Sequence, residues 1–148
     1  MKRLFASAVF ILLITSCART PEVIVNAVFG LNLDGIEYEL ITRDEYWLPN
    51  GDGECYIECK ILSGMDKIVD EMIGNMALPL PVQKSQCYHK ILSKYSCRDM
   101  RGYYIFNQHP PMMDFDLIIY DDQKHVLIIY YILASSSIPA AVHLSSGS

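Results

Sequence analysis

The side chains in this sequence that could do nucleophilic, acid–base or metal chemistry are chiefly five cysteines and four histidines. Cys17 stands apart near the start, while Cys55, Cys59, Cys87 and Cys97 lie in the middle of the chain. Zinc modules usually hold thiols in Cys-x-x-Cys pairs, and no such pair occurs here. His89, His109, His125 and His143 fall in a helical stretch, a Pro-rich loop, a strand start and the tail. Neither Gly-x-Ser-x-Gly nor His-Glu-x-x-His is present. Cys97 with His109, or Cys87 with His89, can be written as thiol–imidazole couples, but no spacing selects either. Asn50, Asp52 and Glu54 alternate like the start of a calcium loop. Cys55 then stands where that loop needs Gly, and Ile61 where it needs its closing Glu. These residues read as a turn. The sequence therefore offers no catalytic residue, no metal-ligand set and no cofactor site.

Cys17 has a different setting. Lys2 and Arg3 form a basic start, and Leu4 to Ile14 is apolar apart from Ser7. Thr15 and Ser16 precede the cysteine. A basic n-region, an apolar core of about ten residues and small residues before a cut site describe a secretory signal. The run is shorter than the roughly 20 residues of a membrane-spanning helix. Ile14-Thr15-Ser16-Cys17 resembles the lipobox of bacterial lipoproteins. That resemblance implies cleavage after Ser16, a diacylglyceryl thioether on Cys17 and attachment to the lipid bilayer outside the cytoplasm. Two or more acyl chains make such an anchor durable, where one is marginal. Ala18 occupies the position after the cysteine, where Asp would retain an enterobacterial lipoprotein in the inner membrane. The expectation is therefore an outer-membrane location, periplasmic or surface side, if the source is Gram-negative.

Export makes disulfides the first expectation for the remaining four cysteines, which are even in number. Cys55 and Cys59 lie four residues apart on one face of an apparent strand. Their Cα atoms are then about 13 Å apart, beyond the disulfide limit of about 7 Å. Each is expected to take Cys87 or Cys97 as its partner, and four buried free thiols are the alternative.

The segments expected are a signal peptide at 1–16, a lipidated N-terminus and tether at 17–22, one domain at 23–134 and a flexible tail at 135–148. The mature part is about 130 residues, enough for one real core. The sequence is 51% hydrophobic, which excludes wholesale disorder. Its formal charge is −5, and −7 once Lys2 and Arg3 are removed. An acidic domain is a poor nucleic-acid binder, because phosphate contacts need Lys and Arg. Charge alone favours a cationic protein partner.

Glu22 to Phe29 alternates as a strand, with Val23, Val25, Ala27 and Phe29 on one side. Ile36 to Thr42 alternates again, and Tyr46 to Leu48 either extends it or begins another strand. Pro49 to Gly53 is the strongest turn, and Glu54 to Leu62 follows as a strand with Cys55, Ile57, Cys59 and Ile61 on one face. Ser63 with Asp66 resembles a capping pair, opening a helix through Asn75. A second helix is read from Ser85 to Tyr95. Tyr103 to Phe106 is a short strand. Phe115 to Tyr120 and His125 to Leu133 form a hairpin with Phe115, Leu117 and Ile119 on the same face as Val126, Ile128 and Tyr130. Val126 to Val142 is too interrupted for a membrane span. The Tyr103-Tyr104 and Tyr130-Tyr131 pairs read as core packing, with an aromatic recognition surface as the sharper alternative.

The fold class expected is α+β: an antiparallel sheet of about five strands with two helices packed on one face. The function expected is that of a non-catalytic binding or interaction lipoprotein of the cell envelope, in one form an inhibitor or immunity protein. A structural or assembly accessory is the alternative, and a small envelope hydrolase a more distant one.

Overall fold

The computed structural model describes residues 19–47, 49, 53–86, 89–96, 99–109 and 114–133. The expected signal at 1–16, Cys17, Cys87, Cys97, His143 and the expected tail at 135–148 lie outside them. Within them the protein is α+β, built on a six-stranded antiparallel sheet. The elements in chain order are α1 (Pro21–Phe29), β1 (Glu37–Trp47), β2 (Gly53–Ser63), α2 (Met65–Gly74), β3 (Leu78–Pro79), α3 (Lys90–Lys94), β4 (Gly102–His109), β5 (Asp114–Asp121) and β6 (Val126–Leu133). A 3-10 turn covers Lys84–Gln86. The sheet order is β1-β2-β6-β5-β4-β3. Among the described residues no helix is long and apolar enough to cross a membrane.

The expected strand at Glu22 to Phe29 is instead a helix. Pro21 sits in its first turn, where a missing N–H costs nothing. Gly30, at φ +70°, closes it with its N–H on Asn26 O at 3.0 Å. Ile24, Val25 and Phe29 are buried and Val23 and Ala27 exposed, a helical and not a two-residue period. The β-branched run Val23-Ile24-Val25 imitates a strand, and packing on the sheet overrides it. The helix begins two residues inside the segment read as a tether.

Tyr46 extends the first strand, so β1 is one strand of eleven residues, with a register shift between Leu40 and Thr42. Ser63 does not cap α2: it ends β2, and Gly64 takes the N-cap place without a side-chain hydrogen bond. The second helix is reduced to the 3-10 turn and the five-residue α3. The sixth strand is β3, two residues paired to Tyr103 and Tyr104.

Two cores form, one on each side of the sheet. The first gathers Cys55, Ile57, Cys59, Ile61, Ile118, Tyr120, Leu127, Ile129 and Tyr131 with Ile24, Val25 and Phe29 of α1 and Ile68 and Met72 of α2. The second gathers Phe115, Leu117, Ile119, Val126, Ile128 and Tyr130 with Leu80, Val82, Leu92, Tyr95 and Tyr104. Phe115, Leu117 and Ile119 thus share a face with Val126, Ile128 and Tyr130 as expected, with Leu117 paired to Tyr130 and Ile119 to Ile128. The two helices read from the middle of the sequence contribute to opposite cores. Cover on both sides explains why β5 is buried nearly throughout and β6 is apolar throughout.

Tyr104, Tyr130 and Tyr131 are buried in these cores and Tyr103 is partly buried, so the tyrosine pairs pack and form no exposed recognition surface. The Tyr104 hydroxyl donates to Gln86 Oε1 at 2.8 Å and accepts from Gln83 N–H, which holds the 3-10 turn to the sheet.

Candidate functional site

Cys55 and Cys59 carry free, buried thiols. Both face the first core, between the sheet and α1. Gln86 and Ser96, the described neighbours of Cys87 and Cys97, flank α3, whose Leu92 packs into the second core. The sheet therefore separates Cys55 and Cys59 from that helix. Burial, followed by the charges of Glu22 and Glu58, pushes the Cys59 thiol up to about 11. Burial also raises Cys55, against the opposing effect of its hydrogen bond with Tyr131. Near Cys55, Glu45 Oε1 accepts from Arg43 at 2.6 Å, and Arg43 Nη1 donates to Arg19 O at 2.7 Å.

A buried protonated thiol is a poor nucleophile. At about pH 8, Cys55 and Cys59 should resist a thiol reagent in the native protein and react in urea, as read by peptide mass mapping. No reaction of either after unfolding without reductant would show that they are oxidised. The raised thiol also sets a pH dependence. A group protonated more firmly in the folded state stabilises fully below its ordinary value, 9.0 for this thiol, and that stability is lost as pH rises through about 11. Tyr95 and Tyr120, pushed by burial to about 12, extend the loss upward. Denaturant midpoints should fall steadily across this window; a flat profile would contradict it.

The described histidines are tied into structure. His89 caps α3, its Nδ1 accepting from Ile91 N–H at 3.3 Å, and its ring lies against Phe115 and Tyr130. His109 Nε2 lies 2.7 Å from Asp116, whose other oxygen accepts from Ile132 N–H at 3.0 Å. That carboxylate joins the ends of β4 and β6 across β5. His125 Nδ1 lies 3.4 Å from the Tyr120 hydroxyl. Asn50 and Asp52 lie outside the described residues. Among the described residues no three His, Cys, Asp or Glu side chains gather as a metal site.

Among the described residues, an open cleft of about 640 Å³ lies between α2, β3, the start of β4 and the β5–β6 turn. Helical spacing puts Asp66, Val69 and Asp70 on one flank. Pro79, Leu80, Met100 and Tyr103 supply apolar lining, with Arg101, Gly102 and Asp122 at the opposite side. Asp122 N–H donates to Arg101 O at 3.0 Å, and Leu80 N–H to Gly102 O at 3.0 Å. Buried Asp121 accepts from the N–H groups of Gln123 and Lys124, fixing the turn that carries Asp122. Three carboxylates and one guanidinium line the cleft. After burial, the charges of Asp122 and Asp66 from the cleft, and of Asp121, raise the Tyr120 phenol. An apolar wall with excess negative charge can receive a side chain with an aliphatic stem and a cationic head.

The sequence marks Asp66 as part of a helix start and Tyr103 as a strand residue, and marks none of the cleft residues as a site. Asp66 and Asp70 at helical spacing were legible, but their convergence with Asp122 and Arg101 needs the sheet edge. Compared with known proteins, the chain matches no family, no curated protein and no solved structure.

Proposed function

We propose that this protein is a cell-envelope lipoprotein, tethered to the bilayer through acylated Cys17, whose domain binds a cationic protein and performs no catalysis. On this reading it serves as an interaction partner, of which an inhibitor or immunity protein is one form. The observation that carries the binding part is the cleft: Asp66, Asp70 and Asp122 beside Val69, Leu80 and Met100 suit a Lys or Arg side chain of the partner. The formal charge of −5 supports the same sign of partner. Acidic surfaces of this kind speed encounter with basic proteins, and the gain falls with ionic strength. The anchor keeps the domain at the membrane, where the partner is met; an outer-membrane site follows from Ala18 in a Gram-negative source.

The test is crosslinked capture from native membranes with the intact lipoprotein and with the Asp66→Asn, Asp70→Asn, Asp122→Asn triple variant. Capture of a basic partner by the wild-type protein should weaken at least about tenfold in the variant, about 1.4 kcal/mol, and should decline with added salt. Equal capture by both proteins would remove the cleft from the binding reading.

A further inference from the structure

We infer that the domain docks on its own bilayer through an apolar fringe at the root of the tether, formed by Val23, Leu40 and Ile41. The inference rests on the lipid-anchor reading of Cys17 and goes beyond it: it fixes which side of the domain meets the membrane.

The three side chains are about half exposed, at 52, 47 and 51%. Two hydrogen bonds tie the N-terminal segment to β1. The Tyr38 hydroxyl donates to Glu22 at 2.6 Å, and Arg43 Nη1 donates to Arg19 O at 2.7 Å. Leu40 and Ile41 lie between Tyr38 and Arg43 on that strand. Leu40 shares the α1 side of the sheet, paired to Cys59 as Tyr38 is paired to Ile61. The stretch from Arg19 to Val23 therefore runs beside Leu40. The register shift between Leu40 and Thr42 places Ile41 at the irregularity of this edge strand.

The short tether supplies the occupant. Cys17 precedes Arg19 by two residues, a reach of at most about 7 Å, and the Arg19 carbonyl is pinned to Arg43. Acyl chains on Cys17 would hold that residue at the headgroup boundary, the depth at which interfacial apolar side chains bury. The fringe then lies at the bilayer surface by chain length alone. The outward residues of α1, Val23, Asn26 and Ala27, bring no charge to it. Exposed Arg19 can reach lipid phosphate while its stem stays apolar. On an acidic protein, uncharged apolar side chains beside the tether suit a lipid surface.

The experiment is hydroxyl-radical footprinting, read by peptide mass mapping, of the acylated protein on phosphatidylcholine vesicles against the soluble Cys17→Ser form. Flotation of the same vesicles reports the anchor independently. Expected is severalfold slower labelling at Val23, Leu40 and Ile41 on vesicles, with Lys90 and Ser93 of α3 unchanged. Protection should vanish in a Val23→Glu, Leu40→Glu variant that still floats. Flotation without protection of the fringe would overturn the docking and leave the anchor standing. Failure to float would overturn both. Protection in the soluble form that grows with protein concentration would assign the fringe to a second copy of the chain and overturn the bilayer as its occupant.

Discussion

Gly102→Ala is expected to destabilise the protein by at least about 3 kcal/mol, the scale of backbone strain combined with a core clash. Gly102 opens β4 opposite Asp121, at φ +133°, a conformation that side-chain-bearing residues rarely adopt. A Cβ there would lie 1.9 Å from Tyr120 O, 3.0 Å from Tyr120 C and 3.1 Å from Asp122 N. All three atoms are backbone of the paired strand and its turn, so no side-chain rotation relieves the overlap. Relief requires opening the β4–β5 ladder at this end, with loss of the Leu80 N–H bond to Gly102 O and the Asp122 N–H bond to Arg101 O. Those bonds also shape the cleft, so partner capture should fall together with stability. Gly74→Ala is the matched comparison. Nothing lies within 4 Å of its added Cβ, at the last position of α2, where alanine should be neutral or stabilise by up to about 1 kcal/mol. Urea denaturation of both variants decides the matter. A Gly102→Ala midpoint equal to wild type would show that this strand end rearranges freely.

Cys17→Ser should abolish acylation and transfer the protein from the membrane to the soluble fraction. Each buried methylene of an acyl chain contributes about 0.8 kcal/mol, and two or three chains make dissociation negligible. Three half-exposed apolar side chains offer far less. Full burial of one such residue is worth about 1.5 to 3 kcal/mol, and the fringe is only partly freed from water by docking. On the proposed reading the fringe would orient the domain and the thioether would hold it. Metabolic labelling with a fatty-acid analogue, followed by fractionation, checks both halves of the expectation. Equal label in wild type and Cys17→Ser would sink the lipoprotein reading and with it the orientation drawn from the tether.

Several elements follow from local pattern alone. The alternation of Cys55, Ile57, Cys59 and Ile61 placed one strand face in a core, and the Ile- and Tyr-rich hairpin from Phe115 to Leu133 was legible down to which residues share a face. Period-two burial and turn chemistry act over a few residues, so a linear reading reaches them. The α+β class follows from those strands and from the helical spacing of Ile68 and Met72. The segment Pro21–Phe29 was not legible in this way, because Val23-Ile24-Val25 favours a strand locally while a buried sheet face rewards a helix with Ile24, Val25 and Phe29 inward. Nor could the sequence say that α3 packs opposite α2, since helix spacing reveals which residues are apolar and not which side of a two-faced sheet they cover. That choice left Cys55 and Cys59 as buried thiols across the sheet from α3. It also brought Asp66 and Asp70 to Arg101 and Asp122, residues separated by half the domain in sequence and joined only when the β5–β6 turn closes beside α2. Local chemistry sets elements because its interactions are short in sequence. The cleft and the fringe depend on contacts between distant segments, whose free energy exists only once the sheet has assembled.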